Sequence, residues 1–267
     1  MVQTGWSLTT FQWRLSAARD RVTAHIAVPE HQTMTRHPQL PLGLALSASA
    51  RFNSFYAGQN LETVQGLQQA ARGQGEAFVY VVAPTGMGKT HLLQAACADA
   101  AMSERSCSYL PLQDLLDFTP AVFADLEQLD LVCVDDVTTI AGNDDWERGL
   151  FDLFNRVRQG AGTLLMAADT RPDQAGFLLP DLVSRLGWGV TYVMKPLAEQ
   201  DVIAALACRA QARGLELPAE TAQYLLKRYP RDLPTLFALF DTLDTASLVE
   251  QRRLTVPFVR AVLDGNV

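Results

Sequence analysis

The chain has 267 residues, 48% of them apolar and 19% charged, with a net charge of −7. That length supplies core enough for one large domain or two modest ones, and the four cysteines (Cys97, Cys107, Cys133 and Cys208) show neither C-x-x-C pairing nor a histidine at metal spacing, as expected for reduced thiols of a cytoplasmic protein. The charge is uneven: residues 52 to 267 carry −10, which speaks against gripping duplex DNA through its phosphates, and no apolar run is long enough to cross a bilayer.

Residues 1 to 38 have no convincing period and read as an extension, disordered or lying before the natural start that Met34 offers. Gln39-Leu40-Pro41-Leu42-Gly43-Leu44 follows, with Pro41 and Gly43 opposing a helix. An extended segment of this kind suits either docking, with Leu42 and Leu44 in an apolar groove and the Gln39 amide hydrogen-bonded, or a lead-in that covers the main domain's edge. The aromatic turn Phe52 to Asn60 leads into an amphipathic helix near Leu61 to Ala71. It suits two roles equally, folding over a nucleobase or capping the sheet.

The next stretch carries the strongest signal. Phe78 to Val82 reads as a strand buried on both faces, and Pro84-Thr85-Gly86-Met87-Gly88-Lys89-Thr90-His91 as a tight loop opening a helix. Gly86 and Gly88 let backbone N–H groups converge on phosphate oxygens, and the helix adds the positive end of its dipole. Lys89 then reaches the terminal phosphates and the Thr90 hydroxyl ligates Mg²⁺, which is the P-loop arrangement with Ala83 at the first glycine of G-x-x-x-x-G-K-[ST].

A short strand near Cys107 to Leu110 and a helix from Leu112 to Asp117 come next. Leu131-Val132-Cys133-Val134-Asp135-Asp136 is a second buried strand ending in two carboxylates. At the C-terminal edge of a parallel sheet, Asp135 would hold Mg²⁺ through water and Asp136 would stand near an attacking water as base. Trp146 to Gln159 has helical spacing, Thr163 to Ala168 is a third buried strand, and Asp169 at its end either polarises the water or caps the turn. Ser184-Arg185-Leu186-Gly187-Trp188-Gly189 leads to a last strand, Val190 to Met194. Alternating strands and helices predict a doubly wound parallel α/β sheet over residues 45 to 196. Beyond Pro196 only helices are expected (Leu197 to Arg213, Ala219 to Arg228, Leu233 to Leu243, Val256 to Leu263), forming a small lid over residues 197 to 267.

Together these motifs resemble the AAA+ ATPases of the DnaA family over roughly residues 39 to 264. Phe52-Asn53-Ser54-Phe55 with Gly58 and Asn60 is similar to the family's segment before the P-loop, and Asp135-Asp136 to its Walker B acids. Asp169 to Pro172 resembles the first sensor, and Ser184 to Gly189 the segment bearing an arginine finger, Arg185. The resemblance implies a P-loop NTPase with a five-stranded parallel sheet between helices, a helical lid, and ADP or ATP with Mg²⁺.

Within the family the chain is most similar to the regulatory inactivators. Gln39, Leu40, Leu42 and Leu44 are similar to the peptide by which those proteins bind the β sliding clamp of DNA polymerase III, and Val267 follows the lid directly, with no room for the initiator's helix-turn-helix domain. The implied partners are therefore DnaA and the clamp, with DNA touched only through the clamp, no membrane, and a homo-oligomer allowed. Arg185 would act across a subunit boundary on ATP held by DnaA. One departure stands out: Pro234 occupies the second-sensor position, so slow turnover by the chain itself is expected unless Arg231 substitutes. Two rival readings are a DnaA-like initiator or helicase loader, and an adaptor whose nucleotide is purely structural.

Overall fold

The computed structural model describes residues 50–230 and 232–265. The extension, the 39–44 peptide and Arg231 lie outside the described residues. Five strands, β1 (Phe78–Val82), β2 (Cys107–Pro111), β3 (Leu131–Asp135), β4 (Thr163–Ala168) and β5 (Val190–Val193), pair in parallel in the order β2-β3-β4-β1-β5. The three central strands are unbroken apolar runs because both of their faces are covered.

Alternate residues feed two cores. Val79, Val81, Leu131, Cys133, Leu165 and Ala167 meet α1 (Leu61–Ala71) and α2 (Lys89–Met102), whose alanines let the helix lie close to the sheet. Tyr80, Val82, Val132, Val134, Leu164 and Met166 face α4 (Asp144–Gln159) and α5 (Pro180–Leu186). The short α3 (Leu112–Leu115) stops two residues before the expected Asp117, since Leu112 and Leu115 are buried while Leu116 and Phe118 face solvent. Of the four cysteines, all free, Cys97 and Cys133 are core residues, whereas Cys107 and Cys208 are half-buried.

The lid comprises α6 (Glu199–Ala212), α7 (Ala219–Arg228), α8 (Leu233–Glu250) and α9 (Val256–Leu263) around a core of its own, including Leu206, Leu225, Leu236, Phe240 and Phe258. Two boundaries differ from expectation. The first helix begins at Glu199 rather than Leu197, and α8 runs on past Leu243 to Glu250, because Leu236, Phe240, Leu243 and Ser247 keep one buried line through a polar-looking sequence. Asn60 fastens the lid's connection: its side chain donates to the Lys195 carbonyl (2.9 Å) and accepts from the Lys195 N–H (2.7 Å). Tyr56 adds a bond from its hydroxyl to Asp201 (3.0 Å).

Glu147, in the first turn of α4, is fully buried and sets the approach to α5. Its carboxylate accepts from the backbone N–H groups of Gly142 (2.8 Å), Leu178 (3.0 Å) and Leu179 (2.8 Å). Hydrogen bonds to a charged group are worth about 1.5–3 kcal/mol each, so losing this shared acceptor in Glu147→Ala should lower the unfolding free energy by roughly 3 kcal/mol or more. Urea denaturation of the purified variant measures this; a loss below about 1 kcal/mol contradicts the assigned role.

Candidate functional site

The loop between β1 and α2 is built as its composition demands. Gly86 and Gly88 have φ of +85° and +90°, values that favour glycine, and Gly88 is the residue immediately before the helix. Side chains would not fit there in any case. A Cβ on Gly88 would come within 2.7 Å of the Phe55 ring, and one on Gly86 within 2.5 Å of the Pro234 ring. The loop is thus roofed by the aromatic turn on one side and by the start of α8 on the other.

Between these walls lies a cavity of about 740 Å³. Thr85 to His91 line it, together with Phe55, Tyr56, Asp136, Arg209, Pro234 and Phe237. Its size falls within the range of small-ligand sites. Lys89 is almost wholly buried, its Nζ donating to the Ala83 carbonyl at 2.8 Å. Of the predicted loop residues, Pro84 is exposed and outside the cavity wall.

The paired acids divide. Asp135 is buried and its Oδ2 accepts from the Thr90 hydroxyl (2.7 Å) and the Tyr109 hydroxyl (2.8 Å), while its Oδ1 takes the Asp136 N–H (3.0 Å). Thr90 and Asp135 therefore present hard oxygens side by side, a donor pair that fits Mg²⁺ completed by waters and phosphate oxygens. Among the described residues no three His, Cys, Asp or Glu side chains gather into an all-protein metal cage. Asp136 sits in a left-handed conformation (φ +52°) and lines the cavity. Burial, then the charge of Asp135, hold its pKa above the ordinary carboxylate value, against the pull of Lys89. That makes it a better proton acceptor than a free aspartate. Asp169 is exposed, accepts from the Thr138 hydroxyl (2.8 Å) and lies off the cavity wall.

His91 closes the loop, its Nε2 lying 3.0 Å from the Arg51 carbonyl and 3.4 Å from the Ser54 hydroxyl. Burial holds its pKa below 6.5; the Arg51 carbonyl pulls it up and the Arg209 charge pushes it down. As pH falls below 6.5 the unfolded chain binds a proton here before the folded one does, so stability present above 6.5 is lost on the way down to the folded value. The urea midpoint should therefore drop between about pH 7 and about pH 5.5, and His91→Asn should flatten that dependence. An unchanged slope in the variant would assign the effect elsewhere.

Arg185 stands apart from this cavity. It is half-buried in the last turn of α5, with its guanidinium 5.3 Å from the Trp188 ring, which Arg158 covers at 3.6 Å. No carboxylate pairs with Arg185 within 4.0 Å among the described residues. Gly189, next to the half-exposed indole, passes so close to the Phe78 carbonyl that no side chain could be accommodated.

With this geometry in view, a family model of the bacterial DnaA ATPase domain matches residues 46–193, more than half of the chain. The chain belongs to the bacterial DnaA ATPase family. A second model, the Hda lid domain, matches residues 199–263, so this is an Hda-like AAA+ protein of the DnaA family. Domain III of the replication initiation protein DnaA from Thermotoga maritima has a similar structure (TM-score 0.69, 20% identity, 82% of this chain and 98% of that one). AMPPCP-bound DnaA from Aquifex aeolicus (0.61, 22%, 73% and 65%) and the Holliday junction branch migration motor RuvB of Thermotoga maritima (0.57, 17%, 80% and 73%) are also similar. At these identities the likeness speaks for the fold: a five-stranded parallel AAA+ sheet with flanking helices and a helical lid.

In this DnaA-family chain, three site features escaped the sequence reading: Tyr109 bonded to Asp135, Pro234 packed on Gly86, and Arg209 in the cavity wall. Each joins segments far apart in the chain; the alternation that places Tyr109 on a strand and the second-sensor position of Pro234 were the available hints. No helix among the described residues is long and apolar enough to cross a membrane.

Proposed function

We propose that this protein is a regulatory inactivator of the replication initiator DnaA, supplying Arg185 in trans to ATP bound by DnaA. The single observation that carries the proposal is the position of Arg185: a guanidinium with no carboxylate partner among the described residues, outside the chain's own cavity wall, on a half-exposed segment. A cation placed there is of no use to the nucleotide in cis and is free for one on a neighbour. The match of the Hda lid model supports the inactivator over the initiator.

The chain's own cavity then holds ADP or ATP, its phosphates cradled by Thr85 to His91 with Lys89 as the cation. Thr90 directly and Asp135 through water would hold Mg²⁺, which supplies charge neutralisation at the phosphate oxygens. Asp136 lines this cavity with a raised pKa and is placed to take a proton from water, but Pro234 cannot donate a hydrogen bond to phosphate, so turnover in cis is slow. In the trans reaction Arg185 neutralises charge developing on the partner's γ-phosphate, and Asp169, whose charge reaches Asp136, would polarise the water in cis or cap the turn through Thr138.

Gln39, Leu40, Leu42 and Leu44 would bind the β sliding clamp as an extended peptide ahead of a nucleotide-binding subdomain (45–196) and lid (197–267), so DNA is reached through the clamp. The test mixes ATP-loaded DnaA, DNA-loaded clamp and this protein, and follows hydrolysis. Acceleration should need all three and should vanish with Gln39→Ala. Full acceleration without the clamp refutes the recruitment step, and none with every component present refutes the function.

A further inference from the structure

The second-sensor position of α8 holds Pro234, which leaves the lid without the phosphate-facing arginine expected there. The lid nevertheless sends one cation into the cavity wall among the described residues, from a different helix: Arg209 of α6. Its guanidinium lies 4.5 Å from the Phe237 ring, and its Nη2 donates to both oxygens of Asp241 (3.0 and 3.1 Å). Its Nε is buried and has no acceptor among the described residues. A buried donor of a charged group left unpaired costs free energy, and a turn of the side chain that brought the guanidinium onto a ligand oxygen in the cavity would relieve that cost.

Which end of the cavity this is can be read from its neighbours. Pro234 lies over Gly86 of the phosphate loop, and Phe237, three residues further along α8, carries Arg209 on its ring. The Arg209 charge also reaches His91, in the first turn of α2, where it opposes protonation. Arg209 therefore shares the cavity wall with Pro234 and Phe237, within electrostatic reach of the helix that the phosphate loop opens. Asp241 is not used up by it: the same carboxylate takes Arg213 at 2.8 Å, and Arg213 is held further by Asp244 at 2.8 Å. A shift of Arg209 towards a ligand would leave Asp241 paired.

We propose that Arg209 is the lid's phosphate-binding residue, its guanidinium turning from Asp241 to donate to a phosphate oxygen of the bound nucleoside diphosphate in place of the cation that Pro234 displaces. This rests on the reading of the cavity as a nucleotide site. Through Arg209, occupancy of the cavity ties α6 to the phosphate loop, over which α8 sets Pro234.

The test titrates the full-length chain with N-methylanthraniloyl-ADP and, separately, with adenosine. A charge-assisted hydrogen bond of ordinary strength predicts that Arg209→Gln weakens ADP about ten- to hundredfold and leaves adenosine unchanged. Asp241→Asn, which releases the arginine while keeping its charge, should bind ADP at least as tightly as the parent. Equal ADP affinity in parent and Arg209→Gln overturns the proposal. So does an equal loss for ADP and adenosine, or an Asp241→Asn variant as weak as Arg209→Gln, since either result marks a lid damaged as a whole. Lys89→Ala separates the two levels of the argument: a parent that binds ADP with Lys89-dependent affinity upholds the nucleotide site even where Arg209 proves irrelevant. A parent that binds no ADP defeats both.

Discussion

Replacing Arg185 by alanine is expected to lower the stimulated hydrolysis of DnaA-bound ATP by on the order of a thousand-fold or more, the range over which a trans arginine accelerates phosphoryl transfer. Arg185 has no ion pair among the described residues and only a ring contact with Trp188, worth about 0.5–1 kcal/mol at an exposed site, so the variant should fold. It is also absent from the wall of the chain's own cavity, so ADP binding should match the parent. Arg185→Lys should recover little, because an ammonium lacks the planar fork that spans two phosphate oxygens. The measurement is release of labelled phosphate from ATP-loaded DnaA with DNA-loaded clamp present, beside an ADP titration of each variant. Parental stimulation by Arg185→Ala sinks the trans mechanism, and a joint loss of ADP affinity would move Arg185 into the fold's own support.

The strand, loop and helix from Phe78 to Met102 were legible because every constraint on them is local: a β-branched run, two glycines with positive φ, and a lysine and threonine at the first helical turn. The strands β3 and β4 were legible for the same reason, as uninterrupted apolar runs. What sequence could not supply was the pairing of distant segments. Asp135 was read as a metal carboxylate, yet that Tyr109 of β2 shares its Oδ2 depends on β2 and β3 pairing in register, Tyr109 beside Cys133. Nothing in the helical spacing of Trp146 to Gln159 singles out Glu147, and only the returning loop before α5 shows why a carboxylate is buried there. The expected end of α8 at Leu243 falls seven residues short of the observed one at Glu250, since Leu243 and Ser247 continue the buried line while Thr242 and Thr245 face solvent. Arg209 sits four residues before a second arginine, Arg213, at the C-cap of the same helix, and nothing in the spacing says which of the two lines the cavity.

Lys89→Ala is expected to weaken ADP binding by about a hundredfold, the largest effect any single change in the cavity should have there, since a charged donor to phosphate is worth about 1.5–3 kcal/mol. The loss has a structural side that must be told apart. Lys89 donates to Ala83 and its charge pulls the Asp136 pKa down against burial and Asp135. Without it that pKa rises further above the unfolded value of 3.8. A carboxyl with a raised folded pKa binds its proton more readily folded than unfolded, so its charge burdens the fold above the folded pKa and the burden lifts as pH falls towards 3.8. The ligand-free variant should therefore be less stable than the parent near neutrality and should close part of that gap on acidification. Thermal unfolding with and without ADP separates the two sides. The parent should gain about 2.7 kcal/mol at a hundred times its dissociation constant, and the variant almost nothing at the same ADP concentration. A variant unfolded at every pH would favour the adaptor reading, in which nucleotide and lysine serve only the fold. A folded variant that ADP stabilises as well as it does the parent would remove the cavity from nucleotide chemistry altogether.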